Sequence, residues 1–322
     1  MNVKKSSLVG IDVSHETFNA HFKNSDYKYK NTRIGWRKLV NEAPKNSTYV
    51  MESTGYYHYK LASYLHGLGL SVIVLNPYFV HHWIKSTGNK AKTDKRDARD
   101  IFSYALNNKN LTRSWEPMSP LLSRARVIVT LLSSFSKLRQ SSRNVNHSIS
   151  LVVGKTDNLL NPMNSVSAFF VEQEKSLESE LVGIVKNLYP EQYRLLMTIP
   201  GLGSKSVSVF LVCCRGFTDF LTYRQLTSYV GLGLKVEDSG TSVRKRQHIT
   251  KTGNNYLRSL LFMCAMSAMT CCVPCKSLYN RLVSRGKLKE LAIVAVMHRL
   301  VKISFGVVRS GEPYRGNNLL MT

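Results

Sequence analysis

The chain has 322 residues, of which 45 are Lys or Arg and 20 are Asp or Glu, so its formal charge is +25 with histidine neutral. Hydrophobic residues make up 43% of it, which is enough to bury a core and excludes a disordered basic tail. A positive excess of this size predicts a polyanionic partner, nucleic acid first and an anionic membrane surface second.

Two features of the sequence argue against a membrane protein. The segment that follows Lys4 and Lys5 is too short and too polar to be a signal peptide. The most apolar run, residues 257–273, contains Arg258 and several hydroxyl side chains, so it predicts a buried helix rather than a membrane span. We therefore expect a cytoplasmic protein that binds nucleic acid.

The first hundred residues alternate between strand and helix patterns. Apolar and alternating runs predict strands at 7–13, 18–22, 27–31, 47–52 and 71–75, and helices at 35–41, 56–68, 78–86 and 93–107. Asn24, Ser25 and Asp26 predict the turn between the second and third strands. Strands followed by crossover helices are typical of a mixed sheet with helices on its faces, so we assign an α/β domain to residues 1–118.

The remainder of the chain is predicted to be mainly helical. Helices are expected at 119–150 and 165–188, followed by a compact helical region from 191 to 310. Residues 171–188 have the apolar spacing of an amphipathic helix, which pairs either with another chain or with its own. We assign residues 119–190 to a helical, coiled-coil connector that serves oligomerisation and residues 191–322 to a helical C-terminal domain.

Four acids in the first domain suggest a metal site. Asp12 ends the first predicted strand and Glu52 ends the fourth, while Asp94 and Asp97 are three residues apart on one helix face. Carboxylate oxygens are what Mg²⁺ prefers, and two such ions activate an attacking oxygen and stabilise a leaving one in phosphodiester cleavage. Taken singly, each acid is also explained as a solvated residue that pairs with a neighbouring cation.

The order of these acids carries more information than any one of them. An Asp that ends strand one, a Glu that ends strand four and a DxxD on the last helix follow the ribonuclease-H topology. The cations around the DxxD, namely Lys92, Lys95 and Arg96, are candidates for contact with a phosphate backbone.

A second candidate for backbone binding is the segment TIPGLGSKSV at 198–207. Gly201 and Gly203 would let backbone N–H groups approach a phosphate, and Lys205 adds charge. The pattern resembles a helix-hairpin-helix motif, and an ordinary turn between two helices is the alternative.

A polar loop at 237–242 is followed by a run of cations. Ser239 in this loop is a candidate nucleophile, because a serine hydroxyl among phosphate-binding cations can attack a phosphodiester and hold the strand as a phosphoserine link. Its alternative role is that of an ordinary turn residue. The cations predicted to bind nucleic acid here are Arg244, Lys245, Arg246, Lys251 and Arg258.

Eight short blocks occur along the chain in an order that is specific to one family. They are GID at 10–12, MESTGYYH at 51–58, VLNP at 74–77, KTDKRDA at 92–98, IPGLG at 199–203, YVGL at 229–232, DSGTSVR at 238–244 and ITKTGNNYLR at 249–258. Together they resemble the DEDD transposases of bacterial insertion sequences (the insertion-sequence family numbered one hundred and ten), to which the Piv-type DNA invertases are similar. The resemblance covers nearly the whole chain.

The resemblance implies a RuvC-like N-terminal domain, a coiled-coil middle and a C-terminal transposase domain with a nucleophilic serine. It places the acidic tetrad on Asp12, Glu52, Asp94 and Asp97, with Mg²⁺ as the cofactor and Mn²⁺ as a substitute. The serine maps onto Ser239, with Ser242 as its competitor. The implied partners are double-stranded DNA, a structured guide RNA and further copies of the chain in a dimer or tetramer, within a nucleoid-associated protein. The chain departs from the family pattern at Asp238, where Glu is common, and at Thr250, where Ser is common.

Several functions remain open at this point. A site-specific recombinase of the transposase kind is the leading interpretation, and a Piv-type invertase has the same motifs. A RuvC-like nuclease or Holliday junction resolvase would use the acids and leave Ser239 without a role. A nucleic-acid-binding protein without enzymatic activity would need neither the four acids nor Ser239.

Overall fold

The computed structural model describes residues 8–53, 55–86, 94–108, 114–155, 157–235, 238–239, 243–244 and 248–316, and of residues 94–96 and the strand residues between 234 and 248 it describes the backbone only. The chain forms two compact units, Met1–Met118 and Ser119–Thr322. The expected mixed α/β region followed by a mainly helical region is confirmed. The three-part division at residues 118 and 190 stays a prediction.

The first unit is built on one five-stranded sheet in the order β3-β2-β1-β4-β5. β1 pairs antiparallel with β2 and parallel with β4, β2 pairs antiparallel with β3, and β4 pairs parallel with β5. The elements are β1 (Leu8–Val13), β2 (Thr17–Phe22), β3 (Ser25–Lys30), α1 (Arg33–Glu42), β4 (Thr48–Glu52), α2 (Tyr57–Gly67), β5 (Ser71–Leu75), α3 (Pro77–Ser86) and α4 (Asp94–Asn107).

The strands bury both faces of this sheet, because successive side chains point to opposite sides. Val9 and Ile11 of β1 pack with α1 and α2 on one face. Leu8 of β1, with Val50 of β4 and Ile73 of β5, packs with α3 and α4 on the other. Every second residue of β1 from Leu8 onward therefore faces the α3–α4 layer, and Asp12 belongs to this set.

Gly10 is the point at which α4 makes its closest approach to the sheet. A Cβ atom at this position would lie 2.5 Å from the carbonyl oxygen of Ala98 and 2.7 Å from both the backbone N and the Cβ of Phe102. Only a residue without a side chain fits there. The missing side chain sets the distance between α4 and β1, and with it the position of the helix that begins with the DxxD.

The turn between β2 and β3 differs from the predicted one. The chain reverses at Lys23 and Asn24, which both have positive φ (51° and 59°), and Phe22 pairs with Ser25. A two-residue turn with positive φ at both positions matches the twist of antiparallel strands, and Asn tolerates it well. Ser25 and Asp26 were expected in the turn and instead begin β3.

The second unit is helical apart from four two-residue strands among its described residues. Its elements are α5 (Pro120–Val153), α6 (Asn161–Leu188), α7 (Pro190–Leu196), α8 (Ser204–Cys213), α9 (Tyr223–Val230), β6 (Leu234–Lys235), β7 (Asp238–Ser239), β8 (Val243–Arg244), β9 (His248–Ile249), α10 (Asn255–Cys271), α11 (Val273–Ser284) and α12 (Lys289–Ser310). Local signals set several of their ends. Thr222 and Gln225, for example, form a capping box at the start of α9.

The amphipathic segment 171–188 packs on its own chain. It belongs to α6, which pairs antiparallel with α5 and buries Leu181 and Val185. Arg124 pairs with Glu180 near one end of the two helices, and the Ser142 and Ser167 hydroxyls are 2.9 Å apart towards the other. Of the two alternatives left open by the sequence, pairing within the chain is the one that occupies this apolar face.

One helix of the described part of the chain, α12, is long and apolar enough to cross a membrane, with a mean hydropathy of 1.8, and half of that stretch is buried within the protein. α10 and α11 together also have the required length and composition, but the chain bends by 96° between them. Core helices of globular domains have the same composition, so this is weak evidence for a span.

We expect Gly10→Ala to lower the free energy of unfolding by about 1–3 kcal/mol, because the added methyl group meets backbone atoms of α4 that cannot move aside separately. Denaturant unfolding of the full chain measures this. Gly67→Ala is the matched control, since no atom lies within 4 Å of the added Cβ there, and we expect it to be neutral or stabilising by up to about 1 kcal/mol. Equal stability of the two variants would contradict the close contact.

Candidate active site

Asp12 is the last residue but one of β1 and Glu52 is the last residue of β4, and the two strands are parallel neighbours. Ile11 of β1 lies opposite Met51 of β4, so Asp12 and Glu52 are the next residues along the two strands. Adjacent strands are about 4.8 Å apart, and residues in register point to the same face. Both acids are half-buried, and both share the face of Leu8 and Val50, which is covered by α3 and α4.

The helix that carries Asp97 lies over the same face. Asp97 directly precedes Ala98, whose carbonyl oxygen is the nearest atom to the position of a Gly10 Cβ. Gly10 is two residues before Asp12 on the same face of β1, so Asp97 is one residue away from the point at which α4 contacts the strand of Asp12. The backbone of Asp94 is one helical turn before Asp97, and Lys95 and Arg96 lie between them.

The candidate metal ligands at the ends of β1 and β4 and on α4 are carboxylate oxygens. Among the side chains that the structure describes, no three acids, histidines or cysteines are arranged to hold a metal ion, and the side chain of Asp94 is outside that set. The donor chemistry of Asp12, Glu52 and Asp97 fits a hard divalent cation such as Mg²⁺, which takes carboxylate oxygens and keeps several waters.

An ion-pair network that the sequence did not indicate fastens α4 to the sheet. Arg99 of α4 donates two hydrogen bonds to the Asp26 carboxylate on β3, one of them with Nε 2.9 Å from Oδ1. The same Oδ1 is 2.6 Å from Nδ1 of His21 on β2. The His21 ring in turn lies edge-on to Phe102, with ring centroids 5.1 Å apart.

The Asp26 carboxylate is held in its charged form by this network. The hydrogen bond from Arg99 is the main reason that the pKa of Asp26 is below its ordinary value of 3.8; burial opposes that shift and the hydrogen bond with His21 adds to it. The side chain of Asp26 is only 15% exposed, whereas that of Arg99 is 55% exposed. The Arg99–Asp26 pair therefore fixes the rotation of α4 about its axis, at a residue only two positions after Asp97.

The turn at 198–203 is built for packing between helices. Gly201 has φ +95°, and a Cβ there would lie 2.7–2.9 Å from atoms of Ala268 on α10. Gly203 caps the start of α8 and has open space beside it. Lys205 forms an ion pair with Glu178 and lies 3.9 Å from Glu174, both on α6. A phosphate would have to compete with these acids for Lys205, so its role in binding nucleic acid stays a prediction.

Ser239 lies in β7, one of four short strands of the second unit, β6 to β9, which we call the arm. β6 pairs antiparallel with β9, and β7 pairs antiparallel with β8, so that Ser239 lies opposite Val243 and Asp238 opposite Arg244. Ser242, Lys245 and Arg246 lie outside the described residues, as Lys92 does in the first unit. The acids therefore belong to the first unit and the candidate nucleophile to the second.

The base of this arm is held by a buried guanidinium. Arg258 is 9% exposed, and its Nη1 donates hydrogen bonds to the carbonyl oxygens of Val230 (3.2 Å) and Gly253 (3.1 Å). A Cβ at Gly231 would lie 2.6 Å from that nitrogen, and one at Gly253 would lie 2.2 Å from the Tyr229 carbonyl oxygen. Arg258 was expected to contact nucleic acid, and the structure places it among backbone groups of its own unit.

Two hydrogen bonds join the two ends of the arm. The Thr250 amide donates to the Gly233 carbonyl at 2.8 Å, and the Lys251 amide donates to the Gly231 carbonyl at 3.1 Å. Lys251 has φ +55° and its side chain is exposed, so it is the one predicted phosphate-binding cation of this region whose described side chain faces solvent.

Comparison with known proteins identifies the family of the chain. A DEDD transposase family model matches residues 9–154, and a model described as the transposase IS116/IS110/IS902 family matches residues 193–280. The pilin gene-inverting proteins of Moraxella lacunata and Moraxella bovis are each 28% identical over 324 residues, which covers 96% of this chain and 97% of theirs. An insertion element IS110 protein of Streptomyces coelicolor is 29% identical over 145 residues, 44% of this chain and 35% of that protein.

The first family model covers most of the first unit and continues along α5 of the second, the other model lies within the second unit, and together they span most of the chain. The protein belongs to the IS110 family of transposases. It is accordingly a DNA-binding enzyme of DNA breakage and rejoining, and the family as a whole depends on divalent metal ions.

We expect Asp26→Asn to lower the free energy of unfolding by about 1 kcal/mol near pH 6, since one partner of the pair is exposed. Because the pKa of Asp26 is lowered in the folded state, its contribution is complete above the ordinary value of 3.8 and is lost as the pH falls through the folded-state pKa. Urea unfolding across this range should show the gap between wild type and variant closing in acid.

The control for this series is Glu172→Gln, which removes an exposed acid of α6 and should change stability by less than about 0.5 kcal/mol. A gap for Asp26→Asn that stays constant down to pH 2, or no gap at neutral pH, would show that the pair with Arg99 does not hold α4.

Proposed function

We propose that the protein is a site-specific DNA recombinase that cuts and rejoins DNA through a carboxylate site on a RuvC-like first unit and a covalent phosphoserine link to Ser239. The observation that supports this proposal most directly is the register of β1 and β4. It places Asp12 and Glu52 next to each other near the ends of neighbouring strands, on the face covered by the helix of Asp97. The position of these acids on β1, β4 and the last helix supports the RuvC-like assignment.

The residues that would hold the divalent ions are Asp12, Glu52, Asp94 and Asp97. We propose Mg²⁺, with Mn²⁺ as a substitute, because all four donors are carboxylates. When bound, such ions activate an attacking oxygen and stabilise the charge on a leaving one. Lys92, Lys95 and Arg96 flank two of these acids in the sequence and would hold the phosphate backbone beside them.

Ser239 would act as the nucleophile that keeps the cut strand attached. Its Oγ forms a bond to phosphorus as the phosphodiester bond to one sugar oxygen breaks, and that oxygen leaves with a proton as a free hydroxyl. Rejoining is the same step in reverse, with a hydroxyl of the new strand as attacker. Arg244, Lys245, Arg246 and Lys251 would neutralise the phosphate charge, while Arg258 supports the arm from beneath.

The remaining parts of the proposal concern partners. A charge of +25 suits a double-stranded DNA target together with a structured guide RNA. The proposal includes a multimer, a dimer or tetramer, in which the acids of one copy and Ser239 of another act on the same DNA. The Gly201–Gly203 turn with Lys205 is a further candidate for backbone contact, and the protein would work in the cytoplasm on nucleoid DNA.

A Piv-type site-specific invertase is the second candidate. It is favoured by the match to the Moraxella pilin gene-inverting proteins, which extends over 97% of their length. Inversion and transposition share the same cutting and rejoining chemistry and differ in the placement of the two DNA sites.

A denaturing gel of the full chain with Mg²⁺ and a supercoiled plasmid carrying the gene and its flanking DNA tests the chemistry. Wild type should give a protein-linked DNA species. Ser239→Ala should lose it, and Asp12→Asn should reduce it by at least about 100-fold, since a metal site contributes several kcal/mol to such a step. Ser242→Ala is the control and should keep it.

Two results would overturn parts of this proposal. DNA that is cut without attached protein would indicate a RuvC-like nuclease or junction resolvase, in which Ser239 has no role. Loss of the adduct in Ser242→Ala but not in Ser239→Ala would move the nucleophile to Ser242.

A further inference from the structure

Helix α3 exposes aromatic rings where a surface helix ordinarily exposes charge. Its inner side holds Val80, which is 1% exposed, and Trp83, whose ring lies edge-on to Tyr104 of α4 with centroids 5.8 Å apart. Its outer side holds Tyr78 and Phe79, which are 48% and 58% exposed. The helix has no acidic residue and a single Lys. Amphipathic helices that face only water carry charged residues on that side.

The exposed rings of α3 form one cluster. The Tyr78 and His82 ring centroids are 4.2 Å apart, and those of Tyr78 and Phe79 are 5.6 Å apart in an edge-to-face arrangement. The Tyr78 amide donates to the Asn76 side chain at 2.9 Å, so the start of the helix is fixed where β5 ends. The cluster is therefore held in place before any partner arrives.

A second ring pair lies where two other segments leave the same sheet. His15, in the turn after β1, lies edge-on to Tyr57 at the start of α2, with ring centroids 5.5 Å apart. Tyr57 is 46% exposed, and His15 is exposed as well. We call His15, Tyr57, Tyr78, Phe79 and His82 the aromatic rim.

The aromatic rim lies on segments that leave the sheet at the strand ends that carry the acids. His15 is three residues after Asp12, and Tyr57 is five residues after Glu52. Glu52 pairs in register with Leu75, and Tyr78 follows three residues later. Three residues span at most about 11 Å of chain. The three segments that leave the carboxyl ends of β1, β4 and β5 thus each carry an exposed ring within five residues of the edge of the sheet that holds Asp12 and Glu52, which we call the carboxylate edge.

We propose that the aromatic rim binds unpaired nucleotides by stacking, so that a single strand is held across the carboxylate edge. Every base has a π-face, and stacking on aromatic side chains is how proteins hold single strands without reading their sequence. The strongly basic chain supplies the attraction to the backbone. This inference rests on the proposed function, because it assumes that the acids act on a nucleic-acid strand.

The arrangement of the aromatic rim, rather than its aromatic composition, favours nucleic acid over a protein partner. A protein-docking face has one continuous apolar core, in which Tyr and Phe are common. The described ring contacts of the rim form two separate groups on segments that leave the sheet near the acids, and two of its five rings are histidines. A second copy of the chain docked on these rings would cover the edge that a DNA strand has to reach.

The test is binding of the full chain to a labelled oligothymidylate of about 16 nucleotides and to a blunt duplex of equal length, by fluorescence anisotropy in EDTA. We expect Tyr78→Leu and Phe79→Leu each to weaken single-strand binding about tenfold and to change duplex binding by less than about twofold. Tyr78→Phe and Phe79→Tyr, which keep the ring, should bind as wild type does.

Phe169→Leu is the matched control, since Phe169 of α6 is 54% exposed and lies in the other unit. Equal losses in this control, equal losses on duplex, or failure of the ring-preserving variants to restore binding would overturn the proposal. So would a change in oligomeric state on sedimentation without a change in single-strand binding, because that would identify a protein interface.

Because EDTA removes divalent ions, the binding test is independent of cleavage. If Tyr78→Leu and Phe79→Leu bind the single strand as wild type does, and wild type forms the protein-linked DNA species normally, only the proposed role of the aromatic rim is refuted. Ring-dependent single-strand binding without any cutting of DNA in Mg²⁺ would refute the proposed chemistry and leave the rim as a binding site.

Discussion

The contact between Gly10 and α4 is the constraint on which the first unit depends. The helix lies so close to β1 that the Ala98 carbonyl occupies the space of a Cβ at Gly10. Since Asp97 directly precedes Ala98, and Asp12 lies two residues beyond Gly10, the same contact that packs the helix also sets where two of the acids stand. The pair of Arg99 with Asp26 then fixes the rotation of the helix.

The second unit holds the segment of the proposed nucleophile, Ser239, in a comparable way. Glycines at 231 and 253 allow two backbone segments to approach, and the Arg258 guanidinium fills the remaining space with hydrogen bonds to carbonyl oxygens. The arm that carries Ser239 extends from this base. In both units a glycine contact and a cation hold the segment that carries the proposed catalytic residues.

Much of this fold was predictable because strand and helix periodicities in the first hundred residues are strong, and the acids fall at strand ends. The sequence could not show that Arg99 pairs with Asp26, because Asp26 was assigned to a turn, and a one-residue difference in the hairpin decides which face it occupies. Lys205 and Arg258 were predicted to bind phosphate because both are cations in basic segments. Tertiary packing decides which cations pair with groups of their own unit, and no local sequence pattern shows this in advance.

We propose that acids from separate elements of the first unit form one divalent metal site. Titration of the full chain with Mn²⁺, followed by electron paramagnetic resonance, tests this without DNA. We expect Glu52→Gln to weaken Mn²⁺ binding at least about tenfold, whereas Glu191→Gln, which changes an exposed acid of α7 paired with Arg194, should leave it unchanged. Equal Mn²⁺ binding by wild type and Glu52→Gln would show that Glu52 does not belong to a metal site.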